Sequence, residues 1–180
     1  MKINELFLQI VMLESERLLF RKITAYDFDD LAVMLRDPDV MAAWEHTFTD
    51  EQIQKWICDQ TSRYKKEIVG YFAAICKETG EFVGQMGLMW NDIDELRVME
   101  IGYMLKRQYW GMGYATEGAA ALAQFAFTML GIKKVYASIR PENHLSIRVA
   151  ERIGMKAEGS FIKLYNGKEM VHIIYLKERG

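Results

Sequence analysis

The sequence predicts a mixed α+β domain: one central, mostly antiparallel sheet of about seven strands flanked by about four helices. Three observations predict it. Short β-patterned runs alternate with longer helical runs along all 180 residues. The first half arranges its strands as a meander, without the early strand-helix-strand units that build a doubly wound sheet. Finally, 51% of the residues are hydrophobic, which at this length supplies one sizeable core. No linker, repeat or low-complexity tract divides the chain. One domain is therefore expected over residues 14–180, with residues 1–13 as an extension that reads equally as a helical turn, a partner-packing segment or a consequence of start-site choice.

Each element has its own signal. Residues 16–22 read as a first strand, and Thr24 reads as the cap of a helix whose apolar face is Phe28, Leu31, Ala32 and Leu35. Asp37-Pro38 stops that helix, because the residue before a proline is pushed out of helical conformation. Met41, Trp44, Glu45, His46 and Phe48 lie in the loop that follows, and Thr49 caps a helix over residues 50–66. Residues 71–76 and 82–90 form a hairpin, with Gly80 in the turn. Near-alternation over residues 98–105 puts Val98, Glu100, Gly102 and Met104 on one face of a strand and Met99, Ile101, Tyr103 and Leu105 on the other, with Gly102 marking a bulge. From Ala115 the period becomes helical, with Ala115, Ala119, Leu122, Ala126 and Met129 as the apolar stripe and Gly131 as the stop. Residues 134–140 are a strand, residues 143–153 a helix ended by Gly154, and residues 155–164 and 168–177 a hairpin around Asn166-Gly167.

Composition excludes several functions. With 23 basic and 25 acidic residues the net charge is −2, which fits neither a general nucleic-acid binder nor a membrane-surface protein. The apolar run from Leu6 to Leu13 is interrupted by Gln9, flanked by Glu5 and Glu14, and too short to span a bilayer, so a soluble cytoplasmic protein is expected. Cys58 and Cys76 lack ligand or redox-motif spacing and read as a free, reduced pair. His46, His144 and His172 show neither triad nor metal spacing, so no metal is expected.

The stretch with most chemical content is Gln108-Tyr109-Trp110-Gly111-Met112-Gly113-Tyr114-Ala115. Glycines just before a helix let successive amide N–H groups converge where the helix N-terminus already favours an anion, and a pyrophosphate suits that cradle. The spacing fits neither the dinucleotide-binding nor the P-loop pattern. It resembles the [Q/R]-x-x-G-x-[G/A] acetyl-coenzyme A signature of the GNAT N-acetyltransferases. The stretch from Pro141 to Met155, including Asn143, Ser146 and Gly154, is similar to the corresponding segment of the RimJ/RimL ribosomal-protein-alanine acetyltransferase branch, and Ser15-Glu16-Arg17-Leu18-Leu19-Phe20-Arg21 resembles that branch's first strand. The resemblance runs in order from about residue 14 to the end.

It implies a GNAT-like domain with a splayed central strand, acetyl-CoA as co-substrate, and transfer of acetyl to a primary amine by direct attack. The acceptor is a protein N-terminal amine or a small-molecule amine, polyamines included, for which Glu45, Asp50 and Glu51 are the acidic candidates. The amides of Gly111, Met112, Gly113, Tyr114, Ala115 and Thr116 would meet the pyrophosphate, with Gln108 from the signature and Lys106, Arg107 and Arg148 as nearby positive charge. Met104, Leu105 and Lys106 would offer main-chain groups, and Asn143 would bond the cofactor, cap the following helix, or do both. Glu117 reads as support for the helix end.

Glu100 is the only carboxylate in its apolar run and is the candidate base, directly or through water; the alternative is a glutamate paired with an arginine at a sheet edge. Ser146 is the candidate proton donor to the leaving thiolate, with Tyr103 and Tyr109 next; alternatively Ser146 bonds its own helix backbone. Trp44 and His46 would line an acceptor pocket, or Trp44 and Phe48 would pin the loop to the core. A homodimer through the C-terminal strands fits the resembling family. The competing readings are a CoA-binding sensor or partner module without turnover, and a structural domain whose glycines only make turns.

Overall fold

A computed structural model describes residues 11–93 and 95–180 of the chain. Among the described residues eight strands form one sheet in the order β1-β2-β3-β4-β5-β6-β8-β7. They are β1 Val11–Glu14, β2 Leu18–Lys22, β3 Gly70–Cys76, β4 Phe82–Ile93, β5 Leu96–Leu105, β6 Lys134–Ile139, β7 Lys156–Tyr165 and β8 Lys168–Glu178. Four helices accompany them among the described residues: α1 Phe28–Leu35, α2 Asp50–Lys66, α3 Tyr114–Thr128 and α4 His144–Arg152. Every neighbouring strand pair is antiparallel except β5 with β6. The mixed, mostly antiparallel sheet is as the sequence predicts, with an eighth strand added. That strand, β1, lies partly in the segment read as an extension and pairs with β2 across the short turn at Ser15-Glu16-Arg17. Residues 1–10, the rest of that extension, lie outside the described residues.

Local chemistry sets the element ends. Thr49 and Gln52 form a reciprocal capping box at the start of α2, each side chain accepting from the other's backbone N–H. Asn166 and Gly167 both have positive φ, 50° and 77°, the geometry of a two-residue hairpin turn between β7 and β8. β4 continues to Ile93, three residues past the end that the sequence pattern indicates.

The pleat distributes β5 between two cores. Met99, Ile101 and Leu105 pack with Phe20, Phe72, Met86, Leu88 and Leu122 on the face covered by α3 and α4. Met104 packs with Ile23, Leu31, Leu35, Ile53 and Ala73 on the face covered by α1 and α2. Alternation puts Glu100 and Gly102 on that second face. The α3 stripe holds at Ala119, Leu122 and Ala126, all fully buried, but fails at Met129, which is 71% exposed just past the helix end. Gly102 makes no bulge: β4 and β5 stay in register from Ile93↔Leu96 to Gly84↔Leu105.

What positions the site is a split. β5 pairs with β6 only at Met99↔Val135 and Glu100↔Tyr136, while β5 stays with β4 to Leu105 and β6 stays with β8 to Ile139. Beyond Glu100 the two strands diverge, which is the splayed central strand the resemblance implies.

Candidate active site

The wide end of the split opens into a cleft of about 1050 Å³, walled by the end of β5, the turn before α3, the start of α4 and the Ala42–Trp44 turn. Gly111 and Gly113 have φ of 77° and 83°, conformations that cost other residues strain, and they turn the chain into α3. No carbonyl among the described residues accepts from the amides of residues 111–116, so six N–H groups are available at the positive end of a helix. Arg17 braces this cradle: its guanidinium lies 4.5 Å from the Tyr114 ring centroid and Nη1 donates to the Met112 carbonyl at 3.0 Å. Glu117 holds Arg17 in turn, accepting from its backbone N–H, its Nε and the Ser15 hydroxyl at 2.6–2.7 Å. Burial pushes the Glu117 carboxyl up, but these donors outweigh it and hold it below the usual carboxylate range. Glu117 thus ties the first turn of α3 to the β1–β2 turn through Ser15 and Arg17, contacts beyond the dipole support that the sequence indicates.

The positive charge is distributed otherwise than the sequence indicates. Lys106 Nζ is taken by Asp30 at 2.5 Å, and Arg107 Nη1 by Asp39 at 2.5 Å. Arg148 and Arg152, one helical turn apart on α4, line the cleft and have no carboxylate partner among the described residues. The main-chain groups also differ by parity. The Lys106 N–H donates to the Val83 carbonyl at 3.0 Å, toward β4, and alternation sends the Met104 groups the same way. Tyr103 and Leu105 are the residues whose main-chain groups face the open edge, and the Leu105 carbonyl already accepts from the Trp110 indole at 3.0 Å. Met104 lines the cleft, and Gln108 is exposed in the turn before the glycines.

Glu100 sits where the split begins, 8% exposed and with no arginine partner among the described residues. Oε1 accepts from the Ser138 backbone N–H on β6 at 2.8 Å, and Oε2 accepts from the Asn91 side-chain amide on β4. It is therefore a buried, positioned carboxylate rather than an edge ion pair, and it lies behind the cleft wall. Tyr103 reaches across the split on the opposite face, its hydroxyl donating to the Ser146 carbonyl at 2.8 Å. Burial pushes its phenol well up, so it keeps its proton. Asn143 caps α4 by accepting from the Ser146 N–H at 3.1 Å and also lines the cleft with Ser146. Tyr109 is buried but reaches the cleft wall.

On the acceptor side Trp44 lines the cleft, whereas His46 turns away from it, stacking on Phe48 at 5.3 Å with Nδ1 near the Trp44 carbonyl at 3.1 Å. Glu45 lines the cleft and is held by Arg140 Nη1 at 2.7 Å and by Lys168. Asp50 pairs with Arg36 and Glu51 accepts from the Thr49 hydroxyl, neither at the cleft. Sequence reasoning missed Asn91, Ser138, Arg140 and Arg152. Asn91 was within reach, since the hairpin register sets it opposite Val98, diagonal to Glu100. Among the described residues no group of three or more His, Cys, Asp or Glu is placed to hold a metal, no helix is long and apolar enough to cross a membrane, and both cysteines are free.

A sheet split beside its one parallel strand pair, closed at the wide end by a glycine-turned helix N-terminus with six available amides, defines a GNAT-type acetyltransferase. The chain belongs to that family, with residues 17–156 matching its model, described as Acetyltransferase (GNAT) domain. It is 34% identical over 149 residues to the uncharacterized N-acetyltransferase p20 of Bacillus licheniformis, covering 82% of this chain and 83% of that one. The crystal structure of a GNAT-family acetyltransferase from Bacillus anthracis superposes with a TM-score of 0.78 at 27% identity, covering 92% of this chain and 97% of the other. RimJ of Mycobacterium smegmatis, in complex with CoA-disulfide, shares the fold with a TM-score of 0.74 at 22% identity, covering 94% and 85%. The chain is an acetyltransferase of this family, which uses acetyl-CoA and acts on amine acceptors.

Proposed function

We propose that the acceptor is a free α-amine, that of a peptide or protein N-terminus or of a small amino compound, and that the acetyl group passes to it by direct attack. Glu100 carries this reading: a buried carboxylate at the apex of the split, on the sheet face opposite to Tyr103. The acceptor approaches from the α1–α2 face and the thioester lies in the split, so Glu100 and Tyr103 flank the reacting carbon. The amine loses a proton toward Glu100 and its lone pair attacks the carbonyl carbon. The carbon–sulfur bond then breaks, and the departing thiolate takes a proton from cleft water beside the Tyr103 hydroxyl, which keeps its own. Ser146 keeps that hydroxyl aimed through its carbonyl.

An ordinary thiol has a pKa of about 8.5, so a weak acid suffices for the leaving group. An α-amine, with a pKa of about 8, needs far less help than a lysine amine at about 10.4. Since no covalent enzyme intermediate is required, positioning does most of the work. Residues 111–116, with Arg148 and Arg152, would hold the phosphates of acetyl-CoA.

The ion pairs weigh against polyamines. A polycation calls for unpaired carboxylates, and the acidic residues lining the cleft are all paired: Glu45 with Arg140 and Lys168, Asp39 with Arg107, and Glu142 with Arg140. The test is free-thiol release from acetyl-CoA with peptides bearing N-terminal alanine, serine or methionine, the same peptides blocked at the α-amine, spermidine and an aminoglycoside. Turnover with the free peptides alone is expected. Turnover with spermidine but not with peptides would overturn the acceptor assignment, and cofactor binding without turnover on any amine would favour a CoA-binding sensor.

A further inference from the structure

One half-buried hydroxyl beside this machinery has no protein partner among the described residues. Tyr71 on β3 stands opposite Gly87 on β4, and Gly87 stands opposite Gly102 on β5. Directly opposed residues share a face, so the two glycines leave a trough across the sheet on the Glu100 side. The Tyr71 ring lies along that trough, 5.4 Å from the Trp56 ring of α2, until its hydroxyl reaches Gly102. A Cβ placed on Gly102 would stand 2.2 Å from Tyr71 Oη. The hydroxyl therefore arrives two residues along β5 from Glu100, on the same face. The main chain of Tyr71 is fully engaged, its N–H donating to Gln60 Oε1 at 3.0 Å and its carbonyl accepting from the Tyr64 hydroxyl. Tyr71 is half-buried and its phenol O–H has no acceptor among the described residues, which leaves that O–H free to bond a water.

Glu100 lies behind the cleft wall, with each oxygen holding one N–H donor and retaining a lone pair. A proton from an amine in the cleft needs an intermediary to reach it. Resting on the reading of Glu100 as base, we propose that Tyr71 is a positioning residue whose hydroxyl holds the water that carries the acceptor amine's proton to Glu100. The water takes the amine proton and passes one of its own to the carboxylate, while Tyr71 donates a hydrogen bond and keeps its proton. Burial, then the charge of Glu100, pushes the Tyr71 phenol up, so it stays a donor throughout the working pH range. The titratable groups around it are Glu100 on β5, Arg63 and Tyr64 on α2, and Tyr103 across the sheet.

The test is Tyr71→Phe, which removes only the unpartnered hydroxyl, beside Glu100→Gln and Gly102→Ala. Kinetics are taken from pH 6 to 9, with acetyl-CoA affinity by calorimetry and thermal melting for each variant. Tyr71→Phe should lose about 10- to 100-fold in kcat near neutrality, a part of what a general base supplies. Its acetyl-CoA affinity and melting temperature should match wild type. The loss should shrink above the amine pKa of about 8, where the acceptor is already deprotonated. Gly102→Ala, whose methyl displaces the hydroxyl, should reproduce that pH-dependent loss; if it does not fold, Tyr71→Phe decides alone. Wild-type kcat in Tyr71→Phe, or a loss equal at every pH, would overturn the proposal. If Glu100→Gln is slow while Tyr71→Phe is not, only this inference fails; if Glu100→Gln turns over normally, the base assignment fails with it.

Discussion

Replacing Gly111 and Gly113 separately by alanine tests the amide cradle through its backbone. Their φ angles are 77° and 83°, and a Cβ at Gly111 would meet nothing within 4 Å, while one at Gly113 would meet only Arg17 Nη2 at 3.4 Å. The cost is therefore conformational, about 1–2 kcal/mol for a residue with a side chain in the left-handed region. The loop is exposed, and among the described residues the carbonyls of residues 111–113 accept only from Arg17, at Met112, and from the Glu117 N–H, at Gly113, so the unliganded chain can still relax around the new side chain. The strain then appears when acetyl-CoA demands the cradle geometry. Each substitution should weaken acetyl-CoA binding by about 5- to 30-fold, since about 1.4 kcal/mol is a factor of ten. Calorimetric titration measures this, and kcat at saturating cofactor should change little, because neither glycine touches the reacting atoms. If both variants bind acetyl-CoA with wild-type affinity, the phosphates are not held by these amides.

Three further outcomes follow from individual contacts. Asn91→Ala removes the donor to Glu100 Oε2 and should cost about 1–3 kcal/mol in urea unfolding, with a fall in turnover, because an acceptor at this depth loses its partner. Asp27 is buried, which pushes its carboxyl up, but two bonds from Arg21 at 2.6 and 2.9 Å, with the Thr24 N–H and hydroxyl, hold it below the usual range. Its folded-state pKa is depressed, so the stability it contributes is present above an unfolded pKa of about 4 and lost as pH falls through the folded value. Acid unfolding of wild type should steepen below about pH 4 and flatten in Asp27→Asn, while Arg21→Met should lose about 3–5 kcal/mol at pH 7 by leaving the carboxylate unpaired. Ile68 is an exposed β-branched residue at φ 65°, so Ile68→Gly should relieve about 1–2 kcal/mol of strain against about 0.5–1 kcal/mol of added chain entropy, a net gain visible as a higher urea midpoint.

What the sequence made legible was local. Alternation along residues 98–105 identified the strand and its single carboxylate, and the glycines beside a helical stripe identified the cradle, because both patterns lie within a dozen residues of each other. The Asn-Gly turn and the Thr49 cap were equally readable, since each is a contact between near neighbours. Partners far along the chain were not. Asp30 is 76 residues from the Lys106 it neutralises, Ser138 is 38 residues from Glu100, and Arg140 is 95 residues from Glu45. Main-chain parity at the end of β5 also escaped, because it depends on which edge pairs with β4 and not on residue identity. Gly102 looked like a bulge because a glycine in a strand has few local explanations; its reason is the Tyr71 ring crossing from two strands away. Val11–Glu14 was hidden inside an apolar run whose partner strand begins only after a three-residue turn.

The central claim, that Glu100 receives the amine's proton during acetyl transfer, is tested most directly by single-turnover acetylation of an alanine-terminated peptide by acetyl-CoA-saturated wild type and Glu100→Gln, followed by mass spectrometry. The variant keeps the side chain's size, and the Asn91 and Ser138 donors can still meet its carbonyl oxygen in part. The account predicts unchanged acetyl-CoA affinity and a chemical step slower by about 10²- to 10⁴-fold near pH 7, recovering as pH rises above the amine pKa. A Glu100→Gln enzyme that acetylates the peptide at the wild-type rate across that range would contradict it.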